Sequence, residues 1–127
     1  MNQPYSELYF PPMPVLDVAL AAPGESNWTG VLPAVIDTGA DFCIAPSAVL
    51  RKLKLPLVRP AMIASHWRDT RSVAIYSVDI RIGASVQPAV MMASDPRSQE
   101  ILLGRNLLNR LDLRLDGLKL RTHVLRT

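Results

Sequence analysis

An apolar run, Val31 to Ile36, leads directly into Asp37, which is followed by Thr38, Gly39, Ala40 and a second acid, Asp41. A buried strand that ends by presenting a carboxylate on a tight glycine turn places that acid in a partly desolvated cleft, where it is suited to proton transfer. Asp-Thr-Gly also occurs as a plain turn, in which Asp37 would do no chemistry. A second stretch has a similar plan. Glu100-Ile101-Leu102-Leu103 is apolar after its first residue, turns at Gly104, and continues Arg105-Asn106-Leu107-Leu108. The two stretches read as a weak internal repeat in which only the first copy keeps an acid. Other constellations are thin. His66 and His123 lie far apart without companion ligands, so no metal site is expected. There is no Gly-x-Ser-x-Gly elbow and no glycine-rich phosphate loop. Asp79, Asp95, Asp112 and Asp116 read as strand-face or turn residues. Cys43, the single cysteine, reads as a small buried hydrophobe rather than a nucleophile.

Together, Val35-Ile36-Asp37-Thr38-Gly39-Ala40-Asp41 and Leu102-Leu103-Gly104-Arg105-Asn106-Leu107-Leu108 resemble the retroviral-type aspartic proteases, the retropepsins. The resemblance covers roughly residues 13–115. It implies a mostly β fold: a small closed antiparallel barrel with one or two short helices, paired in a two-fold dimer. It implies an aspartic endopeptidase with Asp37 as the catalytic residue. Thr38, by resemblance, bonds across the dimer and stiffens the two acid loops. Asp41 and Arg105, 64 residues apart, match an acid–arginine pair that ties the active loop to the second glycine turn. A bidentate guanidinium suits such a brace; the lesser alternative is a surface pair of little energetic value. Gly39 and Ala40 are small enough to leave backbone open to a bound peptide, with Asp41 beside them. Val35 and Leu102, by their spacing from the two glycines, are candidate apolar walls for substrate side chains.

Peptide hydrolysis needs a base to activate water and an acid to protonate the leaving nitrogen. This chain offers one Asp-Thr-Gly, so the second carboxylate must come from another copy related by a two-fold axis. Two carboxylates brought together share one proton, so one serves as base and the other as acid, with an acidic, bell-shaped pH profile. The expected partners are a polypeptide substrate and a second copy of the chain. The alternative is a catalytically weak or inactive module of the same fold that binds peptides or dimerises. One departure from the resemblance concerns the hairpin over the cleft, which is glycine-rich in viral relatives. The corresponding residues 65–72 hold no glycine and present His66, Trp67 and Arg68. Trp67 is a candidate substrate contact, or packs on the base of its own hairpin.

The elements that must position these residues follow from pattern. Residues 1–12, with three prolines and three aromatics, read as a loosely ordered arm lying on a surface, with exchange between subunits, together with the last strand, as one expectation for it. Residues 13–127 read as one domain. Strands are expected at 13–21, 28–36, 42–44 and 57–65. Between the last two, a short helix from Pro46 carries Val49, Leu50 and Leu53 and stops at Pro56. The clearest alternation runs from Ala74 to Ile82 and returns from Val86 to Ala93 after Gly83-Ala84. A second short helix spans residues 106–110. Asp116-Gly117 joins two final alternating arms, with Leu118 and Leu120 already in the returning strand.

Composition sets the frame. The chain has 127 residues, 49% apolar but only 6% aromatic, with eleven prolines. That suits one aliphatic-cored domain of short strands. A formal charge of +3 is small and scattered, so nucleic-acid binding is not expected. No basic and apolar leader is visible and no apolar run approaches the roughly 20 residues of a membrane span. With one cysteine and no disulfide possible, a soluble, cytoplasmic protein without cofactors is the expectation.

Overall fold

A computed structural model describes residues 1–64 and 70–127. The strands are β1 (Asn2–Pro4), β2 (Val15–Ala21), β3 (Leu32–Ile36) and β4 (Cys43–Pro46). Helix α1 (Ser47–Leu50) runs into a 3-10 turn, Arg51–Leu53. Then come β5 (Leu57–Ala64), β6 (Thr70–Ile82), β7 (Ser85–Asp95), β8 (Ile101–Leu103), α2 (Arg105–Leu108), β9 (Asp112–Asp116) and β10 (Arg121–Arg126). Hydrogen bonds run in the order β2-β3-β8-β4-β7-β6, and β6 pairs back to β2 through Leu20↔Ile80. Six strands therefore close into a barrel, which removes the open edges that an aliphatic sheet would otherwise expose. β5 hangs outside the ring, paired to β6. Pro60 is tolerated there because an edge strand has one side without ladder bonds.

Closure is mostly antiparallel, as expected, with two exceptions. β3 runs parallel to β8, and β4 runs parallel to β7. The barrel is filled by aliphatic side chains, including Leu16, Leu20, Ile36, Ile80, Met92 and Leu103, with Leu107 of α2 beneath. Asp79, on the long β6, is buried. Its carboxylate accepts backbone N–H bonds from Gly24 and Ala89, each at 2.9 Å. The Ala89 contact holds a positive φ of 49° where the β6–β7 register shifts. This buried acid is thus committed to holding a loop and a bulge.

Residues 1–12 do not form the loosely ordered arm expected of them. β1 pairs antiparallel with β10 of the same chain, and β10 pairs with β9. Tyr5 N donates to Leu120 O at 2.8 Å, and Ser6 and Met13 exchange backbone bonds. The terminal strands therefore pair with each other in cis, with β10 bonded on both sides and β1 and β9 at the edges. Two boundaries also differ from expectation. Trp28 does not open a strand; its ring lies 4.6 Å from the Arg81 guanidinium, while the Thr29 hydroxyl receives Leu20 N. β10 starts only at Arg121, because Asp116 accepts Lys119 N at 3.1 Å and Leu120 takes a positive φ of 51°. That side-chain bond extends the Asp-Gly turn beyond two residues. Among the described residues no helix is long and apolar enough to cross a membrane.

Candidate active site

The parallel register of β3 on β8 sets Val35 beside Leu102 and Ile36 beside Leu103. One step further, Asp37 N donates to Leu103 O at 3.1 Å, so Asp37 leaves the sheet next to Gly104. The internal repeat is thereby resolved spatially: where the first copy carries a carboxylate, the second carries a glycine. Asp37 is half-buried, whereas Thr38, Gly39 and Asp41 are exposed. Gly39 N donates to Asp37 Oδ1 at 3.0 Å, which orients the carboxylate from within its own turn. Ala40 N closes the turn onto Asp37 O at 3.2 Å.

The second glycine turn supports the first from below. Gly104 is buried against it: a Cβ there would lie 2.5 Å from the carbonyl carbon and oxygen of Phe42 and 3.0 Å from Ala40 O. No side chain fits, so glycine is required by close approach rather than by turn type. Arg105 N and Asn106 N donate to Ala40 O and Asp41 O at 2.9 and 3.2 Å. The Arg105 guanidinium donates from Nη1 to Thr38 O at 2.8 Å and from Nη2 to the Asp41 carboxylate. Both side chains are well exposed, so the ion pair adds at most about 1 kcal/mol of stability. Its contribution is geometric, because one planar fork holds two points of the acid loop.

Asn106 is a support residue that the pattern did not single out. Its Oδ1 accepts Cys43 N at 3.0 Å and its Nδ2 donates to Met91 O at 2.8 Å. It thus ties α2 to β4 and β7. A polar residue between Arg105 and the buried Leu107–Leu108 pair was the available signal. Cys43 is buried, with its thiol donating to Asn106 Oδ1 at 3.4 Å. Burial pushes the thiol up to about 11, partly offset by backbone bonds from Gly104 and Leu107 and by the Arg110 charge. Against an ordinary value of 9.0, the thiolate fraction at neutral pH falls about 100-fold. Iodoacetamide is therefore expected to alkylate native Cys43 at least about 100-fold more slowly than the unfolded chain, followed by mass spectrometry. The fold favours the neutral thiol, so this contribution is complete below pH 9 and is lost as pH rises through 11.

Val35 and Leu102 face away from the barrel interior, which their neighbours Ala34, Ile36, Ile101 and Leu103 fill. Register extends their row: Leu102 opposes Ile44, Ile44 lies beside Ala93, and Ala93 opposes Ile75. One apolar residue from each of five adjacent strands thus forms an outer stripe. Ile44 and Leu102 are half-buried, while Ile75 and Ala93 lie deeper in a small second cluster with Val73. Trp67 and His66 lie outside the described residues. Among the described residues no cluster of His, Cys, Asp or Glu is placed to hold a metal.

No protein-family model matches the chain, and no curated protein matches it by sequence. Solved structures do. A retropepsin-like aspartic protease from Rickettsia conorii superposes with a TM-score of 0.68 at 15% identity, over 98% of this chain and 88% of that one. The EIAV protease gives 0.56 at 20% identity, over 77% and 86%. The simian foamy virus protease gives 0.53 at 18% identity, over 75% and 91%. At these identities the likeness is one of fold.

Proposed function

This chain has a retropepsin-type fold, and from that premise we propose that it is an aspartic endopeptidase whose active centre is completed by a second copy. The observation that carries the reading is that Asp37 N bonds to Leu103 O, so Gly104 stands where a second acid would be needed: the described part of one chain brings a single carboxylate without an ion-pair partner to an exposed, braced loop. A two-fold axis beside that loop sets Asp37 against its own counterpart. The two acids then hold one proton between them. The ionised member takes a proton from water as the water oxygen bonds to the peptide carbonyl carbon. The protonated member delivers its proton to the amide nitrogen as the C–N bond breaks. Thr38 stiffens the paired loops, Gly39 and Ala40 leave backbone free for an extended substrate, and Val35 and Leu102 contact its apolar side chains.

A non-catalytic peptide-binding or dimerisation module is the second reading. The pairing of β1 with β10 in cis bears on it, since two copies would have to join through the open edges of the β1-β10-β9 sheet and not by exchanging their termini. One experiment separates the two. Hydrolysis of a peptide library at pH 4–6 is expected, with specific activity that falls on dilution as dimers dissociate, tracked by analytical ultracentrifugation. Activity that stays proportional to total protein where only single chains remain refutes the two-copy centre. Binding without hydrolysis at any concentration favours the module.

A further inference from the structure

At the start of β3 and β8, reaching to within two residues of Asp37 at Val35, lies a cleft of about 220 Å³. Leu32, Val35, Val49 and Ile101 make it apolar, and Tyr9 and Glu100 stand among its other walls. Val35 lies two residues before Asp37, a separation of about 6.6 Å along extended chain. An extended peptide repeats its side chains on one face at about the same spacing. A substrate whose scissile bond lies at Asp37 therefore has a nearby side chain directed at this cleft.

The polar wall has a single sign. Glu100 is the only charged residue in the lining. The Tyr9 hydroxyl donates to its Oε2, and among the described residues no cation pairs with it. A carboxylate has about four acceptor positions, so one phenol leaves most of them open. The neighbouring carboxylate in turn keeps the Tyr9 phenol protonated above its ordinary range, chiefly through that hydrogen bond. An aliphatic slot ending in an under-used carboxylate is complementary to lysine or arginine, whose stems lie on apolar surface while the charged head reaches a partner.

We propose that this cleft is a side-chain subsite, that Glu100 makes it select a basic residue of the substrate, and that the arm bearing Tyr9 supplies one wall in cis. The proposal rests on the peptidase reading for its substrate, yet it is testable without catalysis. The probes are fluorescein-labelled extended peptides of neutral sequence that differ at one central position, Lys, Leu or Glu. Binding is measured by anisotropy on the Asp37→Asn protein. The Lys peptide is expected to bind at least tenfold more tightly than the Glu peptide, with the margin shrinking as salt is raised. Adding Glu100→Lys is expected to reverse that order, and Glu100→Gln, which keeps shape, to bring the ratio towards one. An order unchanged by both substitutions, Leu binding as tightly as Lys, or no measurable binding overturns the proposal. Wild-type hydrolysis of the same peptides scores the other reading independently. Cleavage indifferent to residue 100 sinks the subsite alone, whereas charge-selective binding without cleavage sinks the catalysis alone.

Discussion

Asp37→Asn is expected to lower turnover by at least about 10⁴-fold while leaving the fold in place. The carboxylate's one described hydrogen bond is accepted from Gly39 N, and an amide oxygen accepts the same bond. The asparagine neither carries the charge that activates water nor returns a proton to the leaving nitrogen. Because one gene position supplies both halves of the proposed pair, a single substitution removes both. Circular dichroism and the thermal midpoint are expected to match wild type within a few degrees. Mixing gives a sharper result. In an equimolar blend of mutant and wild type that exchanges freely, about a quarter of dimers keep two acids, so activity falls below the half expected for independent chains. Strictly linear loss on mixing contradicts a shared centre.

Gly104→Ala is expected to be the most damaging small change in the chain. The added methyl would sit 2.5 Å from Phe42 backbone atoms, which belong to the acid loop and do not yield as a flexible side-chain tip would. Relief requires separating the two glycine turns, and with them the bonds from Arg105 N and Asn106 N to the acid loop. A loss of roughly 3 kcal/mol or more follows from overpacking combined with broken buried hydrogen bonds. Urea denaturation reads it directly. Gly117→Ala, where nothing lies within 4 Å of the new atom, is the matched control, expected within about 0.5 kcal/mol of wild type. Equal effects at the two positions would show that the close approach is not what requires glycine at 104.

Local chemistry made the strands and both glycine turns readable. Apolar alternation from Ala74 to Ile82 and prolines at positions 46 and 56 mark elements that depend on their own neighbours. The closure of those elements into a barrel follows from the resemblance and from the large share of β pattern. What stayed hidden depends on partners distant in sequence. Nothing in Ile101–Leu103 announces that it lies parallel to β3, and nothing in Asn2–Pro4 announces a bond to β10 of the same chain. Ile75 illustrates the limit within one strand. β6 is long enough to place Val78, Ile80 and Ile82 in the barrel and Val73 and Ile75 in a different cluster on its other face. A period of two gives the alternation but not which side each end of a long strand serves. The Asn106 bonds were hidden for the same reason, since Cys43 and Met91 come together only through folding.

The support of the acid loop by Gly104, Arg105 and Asn106 also has a consequence during synthesis. About 64 residues separate Asp41 from the guanidinium that holds it. At roughly 5–20 residues per second, a ribosome needs about 3–13 seconds to make that interval. Throughout it the acid turn has been polymerised but has nothing to rest on. A growing chain therefore carries the acid turn without its brace until Arg105 and Asn106 have been made and folded against it.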